Sequence, residues 1–239
     1  MVGERRAIAS AVMALFFLLF LVQALLGGDD TKKFMYSMAG CYGLAFFSLV
    51  AGYFWARWYT VGLGLFGVIV AAVACWQLKT LEQVFLIFGG LHLGAALLLW
   101  GDTMSQAYDG QSAWREKFHM DDNAVQRLGR AVIRAGVSLP FVLAYAFAPR
   151  PEQGSTLAAI VALCLTGLGV RALIQMKTWG VMALAAAGML MTAVAGIDIA
   201  QGDSVISVAL PALSAVFLLG AAAPFAGSMA RYVAGSPAR

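Results

Sequence analysis

Charged residues are scarce in this sequence, since Asp, Glu, Lys and Arg together make up only 12% of the 239 residues. A soluble domain of ordinary composition has about a quarter of its residues charged. Hydrophobic residues make up 62% of the chain. The longest stretch between hydrophobic runs, 101–130, is shorter than the smallest folds that are stable alone. This composition excludes an ordinary soluble protein and indicates a protein embedded in a membrane.

Catalytic signatures are also missing. The sequence has no Walker loop, no HExxH motif and no GxSxG motif. No lysine lies inside a hydrophobic run, which excludes a retinal Schiff base. No series of carboxylates crosses the runs, which argues against a proton pump or an ion-driven antiporter of the usual kind. We therefore predict that the protein is not an enzyme and has no catalytic residue.

Metal-binding side chains are few. Cys41, Cys75 and Cys164 all lie within hydrophobic runs without a CxxC pair, so we interpret them as small buried residues. A haem held by two histidines within the membrane is excluded, because one of the two histidines, His119, lies outside the runs. The sequence therefore predicts no cofactor and no metal site.

The chain does have eight stretches of about 20 predominantly apolar residues, the length at which a helix crosses the hydrocarbon core of a bilayer. They are 7–26, 35–55, 58–77, 81–100, 131–148, 155–173, 178–197 and 204–223. These runs are continuous, whereas the strands of a membrane barrel alternate in short segments. We predict an all-α, polytopic transmembrane helical bundle with eight spans.

Basic residues are divided unequally between the two sides that eight crossings create. With a cytoplasmic N-terminus, the outer side holds only Lys32, Lys33, Lys79 and Arg150, and the cytoplasmic side holds the other 12 of the 16 basic residues. Cytoplasmic loops carry an excess of Lys and Arg. We therefore predict that both termini are cytoplasmic in a plasma or inner membrane. This distribution explains the net charge of +4 without a nucleic-acid partner.

One longer segment divides the chain. We predict a first four-helix half over 1–100, an amphipathic cytoplasmic linker over 101–130, and a second four-helix half over 131–239 with a short cytoplasmic tail. Trp114 and Phe118 share one face of a short helix in the linker. This pattern fits either an ordered linker that rests on the lipid headgroups or a docking surface for a partner.

Among the ionisable residues, His92 is the one near the middle of a span. Ionisable residues deep in a bilayer are costly, and each is therefore a candidate functional residue. We predict His92 as a ligand-binding residue, and the alternative is a neutral imidazole bonded to a neighbouring helix. Gly90 and Gly94 form a GxxxG pair beside it, which lets another backbone approach closely.

Two residues join His92 as ligand-binding candidates. Asp198 follows an apolar run on the outer side, where it indicates either an open acidic vestibule or an ordinary solvated helix end. Pro140 can kink the fifth span, and broken helices often form binding sites in transporters. Arg134 and Arg171 lie about one turn inside the cytoplasmic ends of their spans. There they can hold a lipid headgroup phosphate, or simply extend to the interface.

Small residues recur four apart in several spans: Ser37, Cys41 and Ala45; Ser48, Gly52 and Ala56; and Ala183 and Ala187. They predict tight packing within the chain, or against a membrane-protein partner or a second copy.

The two halves, the prolines and the nearly uncharged interior favour a non-enzymatic membrane protein that binds or translocates a small apolar or lipid-like molecule, with membrane lipids as partners. The small-residue stripes and the linker favour the alternative, an accessory or scaffold subunit of a larger membrane complex.

Overall fold

The computed structural model describes residues 2–117, 121–149 and 155–227. Within these ranges the chain forms ten α-helices, one 3-10 turn and no strand. The elements are α1 (Val2–Leu26), α2 (Asp29–Ala51), α3 (Ala56–Leu78), α4 (Gln83–Leu98), α5 (Asp102–Tyr108), α6 (Ser112–Lys117), α7 (Asp122–Phe147), α8 (Thr156–Ile174), α9 (Trp179–Gln201), α10 (Val205–Ala222) and the turn Ala223–Phe225. The prediction of an all-α, polytopic helical bundle is confirmed.

Seven helices in the described part of the chain are long and apolar enough to cross a membrane: α1, α2, α3, α7, α8, α9, and α10 with the turn that follows it. The fourth predicted span differs, because α4 has 16 residues and is therefore about 24 Å long. A 72° bend separates α4 from α5. Gly101 lies at this bend with φ of 104°, a conformation that favours glycine. Eight spans result if the bent pair is one crossing.

The chain separates into two compact units. Unit 1 is Met1–Trp114 with Phe147–Pro149, and unit 2 is Arg115–Ala146 with Arg150–Arg239. Unit 1 contains three of the long helices and the bent pair of α4 and α5, and unit 2 contains the other four long helices. The predicted relation of Trp114 to Phe118 lies outside the described residues, as does His119.

Unit 1 is a closed ring of four helices, in which α1 and α3 each pack against both α2 and α4. Because short turns make successive helices antiparallel, α1 and α3 begin at the end of the ring where α2 and α4 finish. We name this the arginine end, because Arg5, Arg6 and Arg57 lie there. The opposite end, the far end, holds the turns 27–28 and 79–82.

In unit 2, α9 packs against both α8 and α10. The Ser138 hydroxyl of α7 donates a hydrogen bond to the carbonyl oxygen of Ser214 in α10, at 3.2 Å. Asp121, Ser155 and Ser204 each accept a hydrogen bond from the backbone N–H three residues on, at 2.6, 3.3 and 3.3 Å. These side-chain caps satisfy free backbone donors and therefore determine where α7, α8 and α10 begin.

Glycines of α3 bring it into close contact with α4. An added Cβ on Gly64 would lie 2.8 Å from the backbone oxygen of His92, and one on Gly67 would overlap the His92 ring. In contrast, no described residue lies within 4 Å of a Cβ added to Gly90 or Gly94. The packing role of the GxxxG pair therefore stays a prediction, and within unit 1 α3 and α4 approach each other through Gly64 and Gly67.

The predicted small-residue stripes are largely buried. The buried members are Cys41, Ala45, Ser48, Ala56, Ala183 and Ala187. Near the α9 stripe, an added Cβ on Gly180 would lie 2.6 Å from the carbonyl oxygen of Gly169 in α8. Small side chains therefore serve packing within each unit, as one of the two alternatives predicted.

Candidate functional site

His92 lies on α4 and is fully buried in unit 1. Its Nδ1 is 2.8 Å from the carbonyl oxygen of Phe88, and its Nε2 is 2.7 Å from the Tyr42 hydroxyl of α2. A carbonyl oxygen can only accept a hydrogen bond, so Nδ1 carries a proton. In the neutral ring, which the apolar surroundings favour, Nε2 then accepts the hydrogen bond that the Tyr42 hydroxyl donates. The imidazole therefore joins α2 to α4.

Aromatic rings enclose this imidazole. The ring centroids of Phe16 and Phe88 lie 4.3 Å and 4.2 Å from that of His92, and the Tyr42 ring meets it edge-on at 5.6 Å. Gly67 closes the side that faces α3, with no room for even a methyl group. The His92 ring is therefore held by two hydrogen bonds and by contacts from all four helices of the unit.

Both nitrogens of His92 are already hydrogen-bonded, so a ligand would have to displace the Tyr42 hydroxyl or the Phe88 carbonyl. This is the geometry of the alternative, an imidazole bonded to a neighbouring helix, and ligand binding by His92 stays a prediction. Across residues 2–117, 121–149 and 155–227, no group of three or more His, Cys, Asp and Glu side chains could hold a metal ion.

Replacing Tyr42 with phenylalanine is expected to lower the free energy of unfolding by about 1–2 kcal/mol, because the buried Nε2 of His92 loses its donor. Equilibrium unfolding in detergent, followed by circular dichroism, measures the loss. Tyr36→Phe is the matched control, because Tyr36 is on the same helix and 47% exposed. Its effect is expected to stay within about 0.5 kcal/mol, and equal losses in the two variants would contradict the role of the hydrogen bond.

Asp198 of α9 is only 4% exposed, so the expected acidic vestibule and the expected solvated helix end are both wrong for this residue. Its Oδ1 accepts a hydrogen bond from the Tyr145 hydroxyl at 3.1 Å, and that hydroxyl accepts one from the backbone N–H of Ser155 at 3.2 Å. Asp198 therefore links α9 to α7 and to the start of α8. Hydrogen bonding offsets part of the cost of burying the carboxyl group. Ligand binding by Asp198 stays a prediction.

The other predicted site residues also belong to unit 2. Pro140 is buried inside α7, which continues through it as a single helix. Arg134 donates a hydrogen bond to the carbonyl oxygen of Gly220 near the end of α10. Arg171 is exposed in the last turn of α8. Pro140 and Arg134 thus lie on α7 and Arg171 on α8, and their predicted ligand and headgroup roles stay predictions.

Three arginines of unit 1 have a second role that the charge pattern alone does not predict. Arg5 donates to two carbonyl oxygens at the end of α4, at 2.6 and 3.2 Å. Arg6 donates to the carbonyl oxygen of Val50 at the end of α2. Arg57 donates to that of Leu99 at 3.3 Å. Because the carboxyl end of a helix carries partial negative charge and free carbonyl groups, these arginines cap α2 and α4.

Arg57 also forms a buried ion pair with Asp109, and the two side chains are 13% and 7% exposed. The same carboxylate accepts hydrogen bonds from the Trp58 indole at 3.3 Å and the Ser105 hydroxyl at 2.8 Å. A buried carboxylate needs this many partners, because it has lost its water. We name these four residues the Arg57 cluster. Ser105 and Asp109 lie four residues apart in the sequence, so they are neighbours on one helix face. This spacing could have indicated that both contact the same partner, Arg57.

A shallow open groove of about 350 Å³ lies between α1 and α2 at the far end of unit 1. Its lining residues are Val22, Gln23, Leu26, Gly27, Thr31 and Met35. The walls are mainly apolar, with one amide and one hydroxyl side chain among them. None of the residues predicted as ligand-binding lines this groove.

The chain matches no protein-family model, no curated protein and no solved structure. The class that the fold defines is therefore a broad one: a membrane-embedded, all-α helical protein built from two four-helix units. In the described residues, the buried carboxylates are Asp109 and Asp198, and the buried histidine is His92.

Proposed function

We propose that this is a non-enzymatic integral membrane protein that binds or moves a small apolar or lipid-like molecule. The observation that carries the proposal is the α1–α2 groove. Its size is within the range of about 300–1,000 Å³ that is usual for small-molecule sites. An apolar wall with a few polar groups suits a ligand with a hydrocarbon body and a polar end.

The position of the groove supports a ligand that arrives from the lipid. Val22 and Leu26 are 48% and 82% exposed, and α1 is one of the helices apolar enough to cross a membrane. The groove therefore opens where the lipid surrounds the helix. The two polar residues, Gln23 and Thr31, lie near the turn at 27–28, where a lipid headgroup would be. We further propose that this far end faces outward, because the basic residues favour a cytoplasmic arginine end.

Filling the groove is expected to reduce the amount of ligand that the protein binds. Val22→Trp places a large side chain in the groove, so the amount of lipid-like molecule that copurifies in mild detergent is expected to fall about fivefold, a loss of roughly 1 kcal/mol. Mass spectrometry of the purified protein measures this amount. Leu18→Trp is the matched control, because Leu18 is 54% exposed on the same helix and does not line the groove. Equal occupancy in both variants, or an empty groove in the parent, would sink the proposal.

An accessory or scaffold subunit is the second candidate. The open faces of Gly90 and Gly94 favour it, because α4 presents this close-packing motif away from the other helices of unit 1. Trp76, near the end of α3, and Leu81, in the turn before α4, are also 74% and 75% exposed. The same mild-detergent sample tests this candidate. A stoichiometric second subunit would favour it, and a monomer without partners would remove it.

A further inference from the structure

The short helix α5 covers the arginine end of unit 1. Met104 and Tyr108 lie one turn apart on one face of α5, and they are 0% and 2% exposed. The cation of Arg6, on α1, lies 5.9 Å from the centroid of the Tyr108 ring. In contrast, Thr103 on another face of α5 is exposed. The apolar face of α5 is therefore turned into the end of the four-helix ring.

Polar contacts hold α5 in this position. The Arg57 cluster connects Asp109, directly after α5, to the start of α3. Arg5 donates a hydrogen bond to the Thr103 hydroxyl at 3.4 Å, and the Gln111 amide donates one to the carbonyl oxygen of Gly52 at 3.1 Å. Most of these contacts join side chains at the surface or at the helix ends. They connect α5 to the end of the four-helix ring, and the Arg57–Asp109 pair among them is buried.

Glycine lies where α5 would have to turn. Gly101, with φ of 104°, separates α4 from α5 at the 72° bend. Gly110 follows Asp109 in the turn after α5. A segment bounded by glycines can rotate about them with little steric hindrance. Gly101 therefore supplies a hinge on the α4 side, and on the other side the Gly110 N–H donates a hydrogen bond to the Ser105 carbonyl oxygen at 3.2 Å.

Three hydroxyl groups of unit 1 are buried without a hydrogen-bond partner in the part of the chain that the structure describes: those of Ser10, Thr60 and Tyr108. Elsewhere in the chain, the hydroxyls of Thr166, Thr192 and Ser214 bond to the carbonyl oxygen four residues earlier in their own helices. Ser10 and Thr60 have no such bond. Leaving a buried polar group unpaired is unfavourable, so the closed position of α5 carries a cost.

The register places Ser10 and Thr60 at a similar depth along their helices. Arg6 contacts Tyr108 of α5, and Arg57 contacts Asp109, the residue after α5. Ser10 is four residues after Arg6, and Thr60 is three residues after Arg57. Each hydroxyl residue therefore lies about one helical turn deeper in the ring than its arginine. Both Ser10 and Thr60 are buried, on helices that belong to the same ring. Ser10 and Thr60 therefore lie about one turn inside the arginine end, which α5 covers with Tyr108.

We propose that α5 is a lid that opens about Gly101 and admits water to a polar chamber formed by the hydroxyls of Ser10, Thr60 and Tyr108. The Arg57 cluster is the latch that keeps the lid closed. Two opposing contributions set the balance: the latch favours the closed position, and the cost of the unpaired hydroxyls favours the open one. The lid does not depend on whether the α1–α2 groove binds a ligand, so the two proposals can fail separately.

Alkylation of a cysteine beneath the lid measures its opening. The Met104→Cys variant supplies this probe thiol. In that background, Asp109→Ala removes the latch, and the probe thiol is expected to react at least about tenfold faster with a small thiol reagent. Native Cys41 is buried inside unit 1 and is expected to stay protected, because only the lid opens. Asp122→Ala, which breaks the exposed Arg115–Asp122 pair, is the matched control and is expected to change nothing.

Variants of the hydroxyls test the opposite direction. Tyr108→Phe and Thr60→Val remove unpaired polar groups and keep the side-chain shape, so each is expected to slow the alkylation of the probe thiol about threefold. Unchanged or faster alkylation in these variants would overturn the proposal. So would an Asp109→Ala variant in which the probe thiol reacts at the parent rate. Equal acceleration at the probe thiol and at Cys41 would also overturn it, because the whole unit would then be opening.

Discussion

Gly67→Ala is expected to lower the free energy of unfolding by about 3 kcal/mol, at the upper end of the usual cost of overpacking. The added methyl group would overlap the His92 ring. The ring cannot turn away easily, because Tyr42 and Phe88 hold its two nitrogens and the Phe16 ring lies against it. We therefore expect α3 and α4 to separate. Equilibrium unfolding in detergent measures the change.

The matched control is Gly90→Ala, since none of the residues that the structure describes lies within 4 Å of a Cβ at that position. Alanine is the better helix former, so this variant is expected to be neutral or slightly more stable. The double variant Gly67→Ala/His92→Ala is expected to recover part of the loss, because it removes the ring that the methyl group meets. If Gly67→Ala were as harmless as Gly90→Ala, the close approach of α3 to α4 would be wrong.

Arg57→Met is expected to destabilise unit 1 by about 3 kcal/mol, because it leaves the carboxylate of Asp109 buried without its cation. The Trp58 and Ser105 hydrogen bonds remain, but neither supplies a positive charge. The hydrogen bond from Arg57 to the carbonyl oxygen of Leu99 is lost as well. Thermal unfolding measured in the same detergent gives the size of the effect.

A double variant separates the ion pair from the packing around it. Arg57→Met/Asp109→Leu removes both charges and is expected to recover most of the stability, as is common when a buried ion pair is replaced by apolar side chains. Arg115→Met is the control for losing one arginine of an exposed pair, and we expect a change of less than about 1 kcal/mol. A double variant less stable than Arg57→Met would contradict this account.

Helix positions were predictable, because the physical signal is long and continuous. Seven of the eight predicted spans correspond to single helices that could cross a membrane. The sequence predicts the fourth span, 81–100, in the same way as the others, because a hydropathy pattern does not reveal the break before Gly101. The sequence predicts His92 as a candidate residue, with a bonded imidazole as the alternative, because a single ionisable residue stands out within an apolar run.

Side-chain partners were less predictable, because they depend on contacts between residues far apart in the sequence. Asp198 follows an apolar run, which predicts a position in solvent. In the structure it is buried and accepts a hydrogen bond from Tyr145, 53 positions earlier in the sequence. The predicted GxxxG pair faces outward, because helix periodicity does not say which face meets a neighbour. Arg57 and Asp109 are 52 positions apart, and their pairing depends on the turn that α5 makes at the bend.

The short fourth helix has a consequence for the surrounding lipid. Its neighbours α1 and α3 have 25 and 23 residues and are about 35 Å long, against about 24 Å for α4. Leu86 and Ile87 expose 51% and 63% of their surfaces on this helix. Acyl chains beside α4 are therefore expected to shorten or tilt to match it, which thins the bilayer on one flank only. A protein with this asymmetric mismatch is expected to partition toward thinner membranes and to orient nearby lipids unevenly around its circumference.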